Sequence, residues 1–159
     1  MKADLRAGAR DAAQGQAPSS LYVMLVEDDE DHVFLIRRAL RDLPDLSVQL
    51  DVARSGEQAL ELLGRAALAA APLPDLVLLD LRMPGMDGFE VLRRIRADER
   101  LRTLAVVALT SSEREDDREQ ALRLGITWYV CKPIDGHRFR AEVQQVVGLW
   151  GGRPPSASA

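Results

Sequence analysis

Leu76-Val77-Leu78-Leu79-Asp80 is a run of four apolar residues that ends in an aspartate, near the middle of the 159-residue chain. A continuous apolar run of this length is typical of a parallel β-strand whose two faces are both covered. The aspartate then lies at the edge of the core, where an unpaired carboxylate is costly. The run therefore predicts an α/β fold with an acidic group beside the end of a buried strand.

Helical patterns separate this run from four other strand-like segments. The predicted strands are Leu21 to Val26, Val48 to Val52, Leu76 to Leu79, Leu104 to Leu109 and Thr127 to Cys131. The second alternates between apolar and polar residues and is expected at an edge of the sheet. Because parallel crossovers are almost always right-handed, five βα units predict a doubly wound parallel sheet with helices on both faces.

The predicted helices have their own start signals. Three pairs have the spacing of a capping box, in which two side chains three residues apart bond backbone N–H groups of the first turn. These pairs are Ser55 with Gln58, Asp87 with Glu90 and Ser112 with Glu115. Apolar residues then recur at helical spacing, as in Val33, Ile36 and Leu40. Both signals support helices between the strands.

Composition restricts the class of protein. With 47% apolar and 29% charged residues, the chain fits one globular domain. No run approaches the roughly 18 apolar residues of a membrane span, and Met1 to Ser20 lacks the apolar centre of a secretory signal, so we expect a cytoplasmic protein. The net charge is −4, and charges of both signs are mixed along the chain without a basic stripe, which argues against nucleic-acid binding. The single cysteine, Cys131, is predicted to be a buried strand residue.

Residues directly after the predicted strands are candidates for a site, because ligands of open α/β sheets bind beyond the carboxyl ends of the strands. Those residues are Glu27-Asp28-Asp29, Asp80, Thr110 and Lys132-Pro133. Each has an ordinary explanation, since an acidic run often stabilises a helix N-terminus and a lysine is usually exposed. Their occurrence together at four strand ends favours a functional site.

The carboxylates among these residues predict a metal site. Carboxylates crowded together repel one another unless a cation binds, and oxygen ligands with room for water suit Mg²⁺. Asp28 and Asp80 are the predicted direct ligands, and Glu27 is predicted to hold a coordinated water. The main-chain carbonyl of Arg82 is predicted to supply a further oxygen.

The same residues are suited to phosphoryl transfer. Transfer to a carboxylate places negative charge on three equatorial oxygens, which need positive or hydrogen-bonding partners already in place. Mg²⁺, Lys132 and the Thr110 hydroxyl fill those roles. Asp80 is then the predicted nucleophile, which forms an acyl phosphate.

Four motifs in order make the chain similar to the response-regulator receiver (CheY-like) family. They are Leu25-Val26-Glu27-Asp28-Asp29, Leu79-Asp80-Leu81-Arg82-Met83-Pro84-Gly85-Met86-Asp87-Gly88, Ala108-Leu109-Thr110-Ser111 and Tyr129-Val130-Cys131-Lys132-Pro133. The resemblance covers about residues 21–148 and implies a flavodoxin-like five-stranded parallel sheet in the order 2-1-3-4-5 with five helices. The segments 1–20 and 149–159 are expected to be flexible.

The resemblance also implies roles and a partner. Glu27 and Asp28 are the expected acid pair, Asp80 the phosphoacceptor, Thr110 the switch hydroxyl and Lys132 the phosphate partner. Tyr129 matches the family's switch aromatic, which turns inward when the switch hydroxyl moves toward the phosphoryl group. Lys132-Pro133 is expected to be a cis peptide bond. The expected partner is a sensor histidine kinase, and the expected activity is switching rather than enzymatic turnover.

A narrower resemblance concerns the kinase. Ser111 to Asp117 and Gly148-Leu149-Trp150 look like stand-alone regulators that partner phytochrome-type histidine kinases. Gly151-Gly152-Arg153 departs from that subgroup, in which an apolar segment usually follows the tryptophan. No output domain is expected after Trp150, so a partner-binding effector, a phosphate relay and a phosphate sink all stay open.

Two other classes of protein fit the motifs less well. An aspartate-nucleophile phosphatase should have a second aspartate two residues after the nucleophile, where this chain has Arg82. A flavin or nucleotide domain needs a glycine-rich loop after the first strand, where Glu27-Asp28-Asp29 would repel a phosphate. His32 and His137 are assigned no role, because a lone histidine on a helix is more often part of the surface or the core.

The fifth predicted helix and the segment after it carry more apolar residues than one buried stripe can hide. These residues are Phe139, Val143, Val146, Val147, Leu149 and Trp150. Two copies packed about a two-fold axis would cover this surface, so a homodimer through helix 5 and the C-terminal segment is predicted. The alternative is that Trp150 folds back on its own domain.

Overall fold

The structure is a computed structural model that describes residues 19–133 and 135–151. Strands and helices alternate throughout. The elements are β1 (Ser19–Val26), α1 (Glu30–Arg41), β2 (Leu46–Ala53), α2 (Gly56–Leu68), β3 (Leu76–Leu79), α3 (Gly88–Ala97), β4 (Val106–Thr110), α4 (Glu115–Arg123), β5 (Trp128–Cys131) and α5 (Gly136–Gly151). In this part of the chain no helix is both long and apolar enough to span a bilayer.

The five strands form one parallel sheet in the order β2-β1-β3-β4-β5. This order confirms the predicted flavodoxin-like fold. β3 and β4 are buried along their whole length, because each lies between two other strands and has helices over both faces. β2 pairs only with β1, and its alternating exposure is that of the predicted edge strand.

Two hydrophobic cores lie on opposite faces of the sheet. Successive residues of a strand point to opposite faces, so Val77 and Leu79 of β3 join one core while Leu76 and Leu78 join the other. Helices α2, α3 and α4 cover the first face, and α1 and α5 cover the second. With both faces covered, the carboxyl ends of the strands are the part of the sheet left for a ligand.

The side-chain caps predicted at Ser55 and Asp87 are present. Ser55 Oγ accepts from the Gln58 N–H at 3.1 Å, and Asp87 Oδ1 accepts from the Glu90 N–H at 3.0 Å. The reciprocal bonds differ from an ideal box. Gln58 Oε1 accepts from the N–H of Arg54 instead of the cap residue, and the Glu90 carboxylate pairs with arginines of its own helix.

The capping box predicted from Ser112 to Glu115 is wrong. α4 begins at Glu115 with Arg114 as its N-cap, and the Arg114 side chain makes no capping hydrogen bond. The Ser112 hydroxyl accepts from the Arg114 N–H at 3.3 Å, before the helix begins, and not from Glu115. The same hydroxyl donates to the carboxylate of Asp117, at 2.5 Å. A charged acceptor makes the stronger hydrogen bond, so this contact fixes the orientation of the serine.

Several elements extend further than their apolar patterns predicted. β1 begins at Ser19, because its backbone pairing with β2 continues to the partner residue Leu46. α5 continues to Gly151, and Trp150 is half-buried against the second core, as in the alternative to dimerisation. Cys131, predicted to be buried, is half-buried, because it ends an edge strand that pairs only with β4. The remainder of the two segments expected to be flexible, residues 1–18 and 152–159, lies outside the described residues.

Gly88, the first residue of α3, is predicted to tolerate no side chain. A β-carbon at this position would press against the carbonyl oxygen of Asp80 and lie 2.7 Å from the α-carbon of Leu81. Both are backbone atoms that cannot give way easily. We expect Gly88→Ala to lower the free energy of unfolding by about 1–3 kcal/mol, measured by chemical denaturation.

Gly64→Ala, in the middle of α2, is the matched control. Apart from its chain neighbours and the backbone of its own helix, no atom of the described residues lies within 4 Å of a β-carbon there, so the change should raise stability by about 0.5–1 kcal/mol through helix propensity. Equal effects of the two substitutions would contradict the close approach of α3 to the end of β3.

Candidate functional site

The carboxyl ends of four neighbouring strands meet at one edge of the sheet. Glu27 follows β1, Asp80 follows β3, Thr110 ends β4 and Lys132 follows β5. Backbone hydrogen bonds continue the pairing past the strands, from the Asp80 N–H to the Val26 carbonyl and from the Lys132 N–H to the Thr110 carbonyl. Because the pairing is parallel, the predicted site residues converge at this edge.

Three carboxylates form a cluster here. Ligand oxygens of Glu27, Asp28 and Asp80 all lie within 4.8 Å of one another. Glu27 and Asp80 are 1% and 6% exposed, whereas Asp28 is exposed at the rim. The structure therefore brings together the three side chains that were predicted to hold Mg²⁺.

The ammonium of Lys132 lies beside this cluster. Its Nζ is 2.5 Å from Glu27 Oε2 and 3.5 Å from Asp80 Oδ2, and its side chain is 6% exposed. A buried ion needs such partners, because desolvation of an unpaired charge costs several kcal/mol. The predicted cis bond before Pro133 is wrong: the bond is trans, the form that is favoured by about 0.5–1 kcal/mol before a proline.

Burial dominates the electrostatics of Asp80. Desolvation raises its pKa from 3.8 to about 6, Lys132 opposes this rise and Glu27 adds to it. The backbone N–H of Arg82 donates to Asp80 Oδ1 at 3.1 Å, which favours the charged form. The Asp80 carboxylate therefore bears a charge that the surrounding protein only partly compensates.

Thr110 and Tyr129 lie on neighbouring strands and contact the same loop residue. Thr110 is fully buried, and its Oγ1 accepts from the Ser112 N–H at 3.2 Å. Tyr129 is half-buried, and its hydroxyl donates to the Ser112 carbonyl oxygen at 3.0 Å. Burial raises the pKa of the Tyr129 phenol. The two residues predicted to form the switch are thus connected through Ser112.

Sequence reasoning missed a buried aspartate next to the site. Asp117, in the first turn of α4, is 4% exposed, and both of its oxygens lie 2.5 Å from the same guanidinium nitrogen of Arg82. Burial raises the pKa of Asp117, but Arg82 and Ser112 outweigh burial and hold this pKa below its ordinary range. The sequence held one signal, since Asp117 lies one helical turn before the buried Ala121 and therefore on the same face of α4.

His32 also lies in the site, although the sequence assigned it no role. Its Nδ1 is 3.0 Å from Lys132 Nζ and 3.7 Å from Glu27 Oε2, and its ring packs at a tilt against Phe139. Its position in the first turn of the helix that follows β1 was the only sequence signal. His137 is exposed at the start of α5, away from these contacts.

Comparison with known proteins identifies the family. A model of the response regulator receiver domain matches residues 23–144, well over half of the chain. The chain belongs to the response regulator receiver family. Among its relatives, the probable methanogenesis regulatory protein FilR2 of Methanothrix harundinacea is 36% identical over 137 residues, which are 86% of this chain and 88% of FilR2.

Solved structures of other receivers have the same fold. The phosphorylated cyanobacterial phytochrome response regulator RcpA has a TM-score of 0.77 and 32% identity, covering 84% of this chain and 95% of RcpA. The receiver domain of the sensor histidine kinase PA1611 of Pseudomonas aeruginosa PAO1, with a magnesium ion in its active-site cleft, has a TM-score of 0.66 and 32% identity. That match covers 84% of this chain and 99% of the PA1611 domain.

Replacing Asp80 by asparagine should stabilise the metal-free protein. Between its unfolded pKa near 3.8 and its folded pKa of about 6, Asp80 binds a proton in the folded chain that the unfolded chain releases. Its charge therefore destabilises the fold above about pH 6. We expect Asp80→Asn to raise the free energy of unfolding by about 1–2 kcal/mol near neutral pH without metal.

The gain should disappear as the pH falls below about 4, where Asp80 is protonated in both states. Denaturant titrations at several pH values, with the exposed Asp31→Asn as control, check this expectation. A destabilised Asp80→Asn protein near neutral pH would contradict it.

Proposed function

We propose that this chain is a response regulator of a two-component phosphorelay, which accepts a phosphoryl group from a histidine kinase on Asp80. One observation carries the proposal. The Asp80 carboxylate is buried at a strand end between an acidic pair and the buried ammonium of Lys132. Membership of the receiver family supports this assignment of the phosphoacceptor.

The chain's own groups suit the transfer. A bond forms between an Asp80 oxygen and phosphorus while the bond from phosphorus to the kinase's imidazole nitrogen breaks, and the imidazole leaves. The Lys132 ammonium, 3.5 Å from Asp80 Oδ2, supplies positive charge for an equatorial oxygen. The Arg82 N–H already bonds Asp80 Oδ1 and holds the carboxylate in place.

A divalent cation fits the acidic cluster. When ionised, its three carboxylates together with one ammonium leave two negative charges, and oxygen ligands with room for water suit Mg²⁺. Glu27, Asp28 and Asp80 would hold the ion, with the Arg82 carbonyl as the further ligand predicted from the sequence. When bound, Mg²⁺ stabilises the negative charge of the transferred group. The magnesium ion of the PA1611 receiver domain supports the choice of metal.

We propose that phosphorylation is transmitted through Thr110 and Tyr129. The Thr110 hydroxyl would move toward a phosphoryl oxygen, and Ser112, which bonds it through the backbone, would move with it. The Tyr129 hydroxyl, which now bonds the Ser112 carbonyl, would then change partner. A protein bound at β5 would thereby detect the state of Asp80.

The proposed kinase is of the phytochrome type. Similarity to RcpA, a phytochrome response regulator, over 84% of the chain supports this proposal. The phosphatase alternative is disfavoured, because the residue two positions after Asp80 is Arg82, whose guanidinium is paired with Asp117. Effector, relay and sink stay open, and the cytoplasmic location stays a prediction.

Labelling tests the phosphoacceptor. With radiolabelled acetyl phosphate and Mg²⁺, the wild type should become labelled and Asp80→Asn should not. Asp28→Ala should be labelled about tenfold more slowly or worse, because the cluster loses an oxygen ligand. The exposed Asp31, in the first turn of α1, provides the control Asp31→Ala, which should behave as the wild type. Equal labelling of the wild type and Asp80→Asn would refute the assignment.

The predicted homodimer has a smaller candidate surface than the sequence indicated. Val143 is 1% exposed, and Trp150 is half-buried on its own domain, so neither is a suitable contact. Leu149 of α5 and Trp128 of β5 are 59% and 56% exposed and line the same depression. We propose these two side chains as the centre of the dimer contact, since exposed aromatic residues often anchor interfaces.

Sedimentation at micromolar concentration, with and without a phosphoryl mimic, tests the dimer. We expect Leu149→Glu to convert the dimer to a monomer, because it places a charge in the apolar contact. Leu68→Glu on α2 is the control, since Leu68 is 77% exposed on a helix that covers the other face of the sheet. A monomer in both states, or a dimer that Leu149→Glu leaves intact, would disprove this contact.

A further inference from the structure

One buried carboxylate outside the acidic cluster joins the loop after β3 to the loop after β4. Asp117 receives the guanidinium of Arg82 through Nη2, at 2.5 Å, and through Nε, at 3.2 Å. It also accepts the hydroxyl of Ser112 at 2.5 Å. Because Asp117 is 4% exposed, water cannot replace these partners without an opening of the fold.

The two partners of Asp117 contact the proposed phosphoacceptor and the proposed switch. The Arg82 N–H bonds the carboxylate of Asp80 at 3.1 Å. The Ser112 N–H bonds the hydroxyl of Thr110 at 3.2 Å, and the Ser112 carbonyl accepts from the Tyr129 hydroxyl at 3.0 Å. Arg82 therefore links the Asp117 carboxylate to the proposed nucleophile. Ser112 links the same carboxylate to the proposed switch hydroxyl and switch aromatic.

We propose that Asp117 is a positioning residue that holds the Ser112 loop in its unphosphorylated arrangement and so sets the threshold for switching. The inference rests on the proposed function, in which Thr110 moves toward a phosphoryl group on Asp80. Thr110 cannot move far without Ser112, whose N–H bonds its hydroxyl and whose own hydroxyl donates a charge-assisted hydrogen bond to Asp117.

If the ion pair between Arg82 and Asp117 breaks, most of the desolvation cost falls on Asp117. The side chain of Arg82 is 47% exposed and keeps water when it leaves, whereas that of Asp117 is 6% exposed and does not. A phosphoryl group on Asp80 brings close to two negative charges beside the residue that holds Asp117. Phosphorylation thus offers Arg82 a competing anion and weakens the hold on the Ser112 loop.

Fluorine NMR of protein labelled with 3-fluorotyrosine can follow the loop directly. The chain has two tyrosines, so Tyr129→Phe assigns the signals. We titrate beryllofluoride, an acyl phosphate mimic, in the presence of Mg²⁺ and record the Tyr129 resonance. In Asp117→Asn, half-conversion should need about fivefold less mimic than in the wild type, an ordinary size for coupling between sites. The resonance of the free variant should already lie closer to the mimic-bound position.

Asp116→Asn is the matched control. It removes the same charge from the same helical turn, but Asp116 is exposed, so the variant should titrate as the wild type. Ser112→Ala keeps the ion pair and removes the hydroxyl's bonds to Asp117 and to the Arg114 N–H, and it should shift the titration in the same direction as Asp117→Asn. This second variant decides the question if Asp117→Asn does not fold.

The outcomes separate the two proposals. A wild type that is not labelled at Asp80 contradicts the proposed function. A wild type that is labelled and responds to the mimic, beside folded Asp117→Asn and Ser112→Ala proteins with unchanged midpoints, overturns the inference about Asp117 alone. An equal shift in Asp116→Asn would also overturn it, because a general charge effect would then explain the result.

Discussion

The buried ammonium of Lys132 is the contact on which the strand-end site depends. It lies within 3.5 Å of carboxylate oxygens of both Glu27 and Asp80, two side chains that are almost completely withdrawn from water. Two such carboxylates repel each other, and each carries a desolvation penalty that a nearby cation offsets. The parallel sheet makes this contact possible, because it brings the carboxyl ends of its strands to one edge.

One ammonium does not balance the site. The raised pKa of Asp80 records the remaining imbalance, since burial and Glu27 together outweigh the attraction of Lys132. An added cation would therefore stabilise the charged Asp80 carboxylate, and the proposed phosphoryl transfer needs positive charge at the same position. The same arrangement that costs stability in the metal-free chain prepares it for the proposed chemistry.

Sequence patterns predicted the features that depend on residues close in sequence and on strand order. The apolar run before Asp80 specified a buried central strand, and the strand-end rule brought Asp80 and Lys132 together correctly. Contacts between distant side chains were not predictable in this way. In the sequence, Asp117 is one of several charged residues on a predicted helix face. Only the fold shows that it pairs with Arg82, which lies 35 residues earlier. Ser112 failed as a helix cap for the same reason, since its hydroxyl bonds that aspartate.

Two groups of charges lie at this edge of the sheet: the acidic cluster with Lys132, and the ion pair between Arg82 and Asp117. The charge of the acidic cluster depends on the separation of the two groups. If the Arg82 guanidinium turned into the acidic cluster, it would neutralise one of the two negative charges that suit a divalent cation. Its pairing with Asp117, across the loops after β3 and β4, keeps that charge away while its backbone N–H still bonds Asp80. The backbone N–H of Arg82 thus bonds Asp80, and its guanidinium bonds α4. A change in the charge on Asp80 therefore has a short covalent and hydrogen-bonded path to the helix that precedes β5.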